Sequence, residues 1–313
     1  MSWIAEPVSR SIFWREDALA CTPDECHGYA EKTVIRYCIF GVHDKSIRQV
    51  EAPMAGISGS ALPGGVSTAK AQGGLIVTGL SKSFGKTRAN DDISVRLIPG
   101  EVTALIGHNG AGKTTFLNQI VGLTRPDAGS IMYDGTDLIA HPAQARQICA
   151  IMPQVASSLE GVTPRQAIAT AVRIRGLKSK QAQRAVQETL DTLDLGDWAD
   201  RPGHKLSGGI KRLTSFGMAV TAPAPIYLFD EPTNDVDPVR RELLWRMLRR
   251  RAEQGAAVLI VTHNLLEVER HADRYLLFNK GRLVRDEPTS ALGLAEAKST
   301  LSITATPEFL QEL

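Results

Sequence analysis

The chain has 313 residues, about two domains' worth at the usual size of roughly 150 residues each. It is 43% hydrophobic and 22% charged, and 36 Lys and Arg against 34 Asp and Glu leave a formal net charge of only +2, which excludes a bulk electrostatic attraction to nucleic acid or an anionic membrane. Aromatic residues make up 5%, too few for a protein built around base stacking.

No stretch reaches the roughly 18 to 20 uninterrupted apolar residues that span a bilayer. Near the start, Val34 to Val42 is short and broken by Arg36, and Glu6, Arg10, Arg15, Glu16 and Asp17 interrupt any secretory core. A cytosolic location is therefore expected unless a partner holds the chain at a membrane. The cysteines (Cys21, Cys26, Cys38 and Cys149) fit a reducing compartment. Cys21, Cys26, His27 and Cys38 lack a CxxC pair and metal-ligand spacing, so they read as ordinary thiols and no metal cluster is expected there.

Residues 1–72 show no sustained helical or strand period, and from Ser58 to Gly74 the composition is that of a Gly/Ala/Ser-rich linker. They are expected to be a poorly ordered extension. Met54 lies just before the linker, so translation from that methionine and a small docking segment both remain open. From Leu75 the chain alternates between α and β patterns. Leu75 to Leu80 and Ile93 to Leu97 read as strands, followed by a Pro99-Gly100 turn and a buried strand from Val102 to Ile106. A helix is expected from Lys113 to Val121, stopped near Gly122, and Asp134-Gly135 marks a hairpin. Thr163-Pro164 opens a helix-rich stretch reaching about Asp197. An apolar strand spans Ile226 to Phe229, a helix opens at Asp237-Pro238 and closes before Gly255, and Ala257 to Thr262 is another buried strand. Tyr275 to Phe278 and Arg282 to Val284 flank the turn Asn279-Lys280-Gly281. No internal repeat is visible.

Three segments carry chemistry. Gly107-His108-Asn109-Gly110-Ala111-Gly112-Lys113-Thr114-Thr115 fits G-x-x-x-x-G-K-[ST] between a strand and a helix. Glycines let backbone N–H groups curl around a polyphosphate, and the helix N-terminus adds partial positive charge. Lys113 is placed for the β- and γ-phosphates, and the Thr114 hydroxyl for Mg²⁺. The second segment, Ile226 to Pro232, is an apolar strand ending in Asp230 and Glu231: one acid for the metal, its neighbour to polarise an attacking water. The third, Leu206-Ser207-Gly208-Gly209-Ile210-Lys211-Arg212, offers a hydroxyl and backbone donors for phosphate at another helix start. Alone, it is an ordinary turn.

In this order and company, residues from about Leu75 to Pro288 resemble the nucleotide-binding subunits of ABC transporters. Leu206 to Gly209 looks like their signature motif, and four further positions match in order. Phe84 stands where the family stacks an aromatic on adenine, with a core role as the plain alternative. Gln154 looks like the loop glutamine that contacts Mg²⁺ and couples to the membrane partner. Asp237, otherwise simply a helix cap, looks like the loop that touches the opposite subunit. His263 looks like the switch histidine at the γ-phosphate. Two positions depart from the usual pattern: Ile210 replaces a frequent Gln in the signature, and His108 replaces a frequent Pro in the phosphate loop, a variation seen among exporters of drugs and lipids.

The resemblance implies an α/β fold: a P-loop NTPase core with an antiparallel β subdomain and a helical signature subdomain over residues 73–288, then a tail from 289 to 313. It implies ATP and Mg²⁺, and a head-to-tail dimer with a second nucleotide-binding subunit, the same chain or a close relative, because one copy of each motif leaves each site incomplete. It also implies separately encoded transmembrane subunits, an export branch, and attachment to the cytoplasmic face of the inner or plasma membrane through them, with no nucleic acid. The alternative is a soluble mechanochemical ATPase acting on ribosomes or DNA; the two cassettes or long coiled-coil insertions usual in such members are missing. Intact Glu231 and His263 argue against a regulator that binds nucleotide without turnover.

Overall fold

The structure, a computed structural model, describes residues 74–155 and 159–292. The expected extension, its linker, three of the cysteines and the tail beyond Leu292 lie outside these residues.

Three short strands are apolar or buried at every position: β3 (Val102–Ile106), β7 (Ile226–Asp230) and β8 (Ala257–Val261). Such strands have no solvent face and are stable only inside a covered sheet, normally a parallel one. They form the centre of a six-stranded sheet with β6 (Cys149–Met152), β9 (Arg274–Asn279) and β10 (Arg282–Pro288), in the order β10-β9-β3-β8-β7-β6. Every neighbouring pair is parallel except β9 with β10, a hairpin. Alternate side chains enter two separate cores. Ala104, Tyr227, Phe229 and Ile260 face one, while Leu105, Leu228 and Leu259 face the other.

The first core is closed by helices. These are α3 (Pro164–Ile174), α4 (Ser179–Thr192), α5 (Gly208–Val220) and α6 (Pro238–Glu253), which contribute Ile168, Leu190, Phe216 and Trp245. The second is closed by α1 (Lys113–Ile120) and by a small antiparallel sheet, order β2-β1-β4-β5. Its strands are β1 (Leu75–Phe84), β2 (Thr87–Leu97), β4 (Ala128–Tyr133) and β5 (Thr136–Asp137). Leu75, Val77 and Leu80 turn inward from β1 while Ile76 and Thr78 stay outside, the alternation of a half-covered sheet. Two short helices, α2 (Pro142–Ile148) and α7 (Leu265–His271), complete the set.

Most expected elements stand where the sequence puts them. Thr163 caps α3 with a full capping box, its hydroxyl accepting from the Gln166 amide and the Gln166 side chain accepting from the Thr163 amide, and Pro164 takes the first turn. Asp134 and Gly135 join β4 to β5. The first hairpin runs longer than expected because Lys82 to Phe84, which carry no core signal, pair with the start of β2. β4, α2 and β6 carry no clear periodic signal; β6 is four residues long and exists because β7 offers it an edge. Among the described residues no helix is long and apolar enough to cross a membrane.

Cys149 is buried at the start of β6, and burial pushes its thiol up to about 12. It should therefore resist thiol-selective reagents at pH 8 until the protein unfolds. Mass spectrometry of labelled protein with and without denaturant checks this; modification of Cys149 under native conditions would contradict it.

Candidate functional site

Parallel pairing brings the C-terminal ends of four strands to one edge of the large sheet. Leu105 lies beside Val261, Val261 beside Asp230, and Phe229 beside Met152. Each strand releases a segment with predicted chemistry at that edge: Gly107 to Gly112 after β3, Gln154 after β6, Glu231 after β7 and His263 after β8. Open α/β sheets bind ligands at this edge because only there do the loops from adjacent strands converge.

The phosphate loop is shaped by close backbone approach. Gly112 has φ +97°, and a Cβ there would collide with the Ala89 carbonyl and the Asn90 amide of β2, so no other residue fits. The Asn90 side-chain amide donates to the Gly112 carbonyl at 3.1 Å. The β9–β10 turn holds the other side, with the Gly281 amide donating to the Ala111 carbonyl at 3.1 Å and His108 Nε2 lying 3.2 Å from Asn279 Oδ1. Lys113 folds under the loop, its Nζ donating to the carbonyls of Gly107 at 2.8 Å and His108 at 3.0 Å. His108, Asn109, Gly110 and Thr114 are exposed, and Thr115 is half-buried. The result is a cation held beneath a loop whose outer face is open, suited to a polyanion.

Beside the loop, Thr114 Oγ1 donates to Asp230 Oδ2 at 2.7 Å. Asp230 is 2% exposed, and burial raises its carboxyl above the usual range, the Thr114 bond opposing that rise. A buried carboxylate joined to a single hydroxyl is a hard-oxygen pair of the type that holds Mg²⁺ together with phosphate and water oxygens. No cluster of three His, Cys, Asp or Glu able to hold a metal occurs among the described residues.

Glu231 leaves the strand in a left-handed conformation, φ +55°, which is uncommon for a residue with a side chain. Its amide donates to the Val261 carbonyl at 3.0 Å and its own carbonyl accepts from Arg212 Nη1 at 3.1 Å. Its carboxylate is buried, yet Oε2 lies 2.9 Å from Nδ1 of His263, whose side chain is 69% exposed. A carboxylate only accepts, so Nδ1 carries the proton and Nε2 is left for solvent or ligand. The bland reading of His263, a structural histidine after a strand, does not account for so exposed a ring on so buried an acid.

Among the described residues no hydrogen bond joins the remaining predicted residues directly to the phosphate loop, Asp230 or His263. Ser207 caps α5 with its hydroxyl on the Ile210 amide, and among the described residues no hydrogen bond links it to the phosphate loop. Ser207 and Gly208 are exposed; Gly209 lies against the Asp235 carbonyl so closely that a Cβ would clash. Asp237 is the N-cap of α6 and also pairs with Arg240. Phe84 is exposed at the tip of the β1–β2 hairpin, so the core alternative for it is excluded. Gln154 is exposed, with its carbonyl bound by Arg212. Sequence reading missed Asn90 and Arg212, whose side chains donate to backbone carbonyls of distant segments, and Asn279, which meets the His108 ring; none of these contacts leaves a local pattern.

One prediction follows from the buried acid. Its raised value means that the ionised form costs folding energy once pH rises above the unfolded carboxyl value towards the raised one. Asp230→Asn removes that cost while keeping an acceptor for Thr114, so the nucleotide-free variant should melt roughly 2–4 °C above the parent at pH 8. The gap should close as pH falls. An equal or lower melting temperature at pH 8 would contradict this account of Asp230.

Comparison with known proteins agrees with the geometry. The family profile described as ABC transporter matches residues 90–234. The Nod factor export ATP-binding protein I of Burkholderia lata is 34% identical over 213 residues, covering 68% of this chain and 70% of that protein. The daunorubicin/doxorubicin resistance ATP-binding protein of Streptomyces peucetius is 31% identical over 215 residues, covering 69% and 65% respectively. A solved ATP-binding subunit of an ABC transporter superposes with a TM-score of 0.65 at 26% identity, covering 76% of this chain and 98% of that one. A dimeric ATP-binding cassette captured after hydrolysis with ADP and Pi shares the fold at 22% identity and a TM-score of 0.63. With the phosphate loop, buried acid and carboxylate–imidazole pair assembled on one sheet edge, the chain belongs to the ABC transporter family and is one of its ATP-binding, ATP-hydrolysing subunits.

Proposed function

We propose that this chain powers an exporter through Glu231 as general base, and that the carriage of Glu231 by His263 is the observation on which this rests. The Gly107–Thr115 loop and Lys113 bind the ATP phosphates, and Phe84 offers a face to adenine. Thr114 and Asp230, with Gln154 from the neighbouring loop, hold Mg²⁺. When bound, the ion neutralises phosphate charge.

Water held by Glu231 gives it a proton as its oxygen attacks the γ-phosphorus, and the bond to the ADP oxygen breaks. His263 holds the Glu231 carboxylate through Nδ1 and presents Nε2 to the γ-phosphate, while Lys113 stabilises the spreading charge. Ser207 and Gly208 are exposed, Gly209 is half-buried, and among the described residues none of them is hydrogen-bonded to the phosphate loop of its own chain. In this reading they complete the site of a second copy or a close relative, with Asp237 at the contact. ATP then favours the closed dimer and hydrolysis the open one, which turns chemistry into motion.

Separate transmembrane subunits receive that motion, and through them the chain sits at the cytoplasmic face of the membrane. Export is favoured over import by the named activities of the relatives, Nod factor export and drug resistance. The ATPase body in this reading is residues 73–288.

Glu231→Gln should lower ATP hydrolysis by roughly 100-fold or more while ATP still binds, the usual scale for loss of a general base. Light scattering should then find an ATP-dependent dimer that persists. Hydrolysis at the parental rate would remove Glu231 from this role. Affinity isolation of that variant with ATP from gently solubilised native membranes should recover a multi-spanning protein in stoichiometric amount; ribosomal or DNA-bound partners without one would transfer the chain to the soluble mechanochemical class.

A further inference from the structure

Arg212 lies on the first turns of α5, two residues after buried Ile210 and next to buried Leu213. An arginine on a helix surface ordinarily pairs with a carboxylate, but among the described residues Arg212 has no ion pair, and its hydrogen bonds go to two backbone carbonyls. Nη1 donates to Gln154 at 3.0 Å and to Glu231 at 3.1 Å. These carbonyls belong to the loops after β6 and β7, 77 positions apart in the chain by residue number (231 − 154). One guanidinium nitrogen thus fixes the peptide planes of both loops that carry predicted site residues.

The anchorage is selective at Glu231. Its left-handed backbone is costly for a residue with a side chain and persists only where surrounding contacts hold it. Three hydrogen bonds do so: its own amide donates to the Val261 carbonyl, and its carbonyl accepts from Arg212 at 3.1 Å and, at 3.4 Å, from the Asn234 amide. A shift of the Glu231 backbone out of this conformation would carry its Cα–Cβ bond with it and pull the carboxylate from His263, at 2.9 Å.

We propose that Arg212 is a positioning residue for hydrolysis, which acts through the backbone of Glu231 and ties it to the helix that begins at Ser207, with the Gln154 carbonyl as the second point that fixes the guanidinium. It touches no reacting atom. Because α5 is a continuous helix of 13 residues, displacement of its exposed N-terminus reaches Arg212 along the rod, and through it the carbonyl of the general base. The signature segment therefore acts on the site of its own chain, in addition to any role in the partner's. This inference rests on the reading of Glu231 as general base.

The test uses steady-state ATPase assays of the purified full-length chain. Arg212→Met should lower kcat roughly tenfold, the scale of losing one hydrogen bond from a charged donor, with KM for ATP within about twofold. A residue acting only through Glu231 has no effect once that acid is gone, so Glu231→Gln and Glu231→Gln/Arg212→Met should share one residual rate. Arg212→Lys should fall between parent and Met variant, because a single ammonium on a shorter stem cannot satisfy both carbonyls equally well. If Arg212→Met lacks a cooperative melting transition, Arg212→Lys takes its place with the same two expectations, a lower kcat and no further loss beside Glu231→Gln.

An unchanged kcat, or an equal fractional loss on the Glu231→Gln background, overturns the proposal and leaves the general base standing. Hydrolysis by Glu231→Gln at the parental rate withdraws both.

Discussion

Burial of the central strands on both faces is the constraint from which the rest of the molecule follows. β3, β7 and β8 carry no polar side that water could accept, so helices must cover one face and a second sheet the other. Chains that place helices between parallel strands return each strand in the same direction. All the strand ends that release Gly107, Gln154, Glu231 and His263 consequently share an edge, and groups far apart in sequence come within hydrogen-bonding reach there. Thr114 and Asp230, 116 residues apart, are joined at 2.7 Å for this reason.

Rigidity at that edge comes from backbone contacts more than from ion pairs. The phosphate loop is held between β2, through Ala89 and Asn90, and the β9–β10 turn, through Asn279 and Gly281. Both supports are elements of the small sheet or the sheet margin, so nucleotide on the loop would report directly to them. Glu231 is held from the opposite side by the helical layer, its carbonyl accepting from Arg212.

The helical layer has its own internal ties. Arg240 stacks over Trp198 at 4.5 Å and bonds Asp194 and Asp237, linking the segment after α4 to the N-cap of α6. Gly209 lies against the Asp235 carbonyl, which makes the start of α5 and the loop before α6 a single packed unit. The two surfaces assigned to a second subunit, at Ser207 and at Asp237, are thus coupled within one chain before any dimer forms. Small size at Gly209 serves this contact as well as any phosphate.

Much of the fold was legible from local signals. Continuous apolar runs marked the buried strands, Thr163-Pro164 and Asp237-Pro238 marked helix starts, and the glycine-lysine loop between a strand and a helix identified the phosphate site. The residue types in these segments have strong conformational or chemical preferences of their own, which neighbours in sequence express. The sequence by itself therefore determined the family and the ATP chemistry, and it picked out Lys113, Asp230, Glu231 and His263 as candidates that the fold brings to one sheet edge. It did not determine β6, too short to show a period, nor the roles of Asn90 and Arg212. Those depend on which carbonyl stands within about 3 Å of a side-chain nitrogen. Every residue carries a carbonyl, so no pattern of residue types can say which one an arginine will meet; only the packing of α5 against the ends of β6 and β7 decided it.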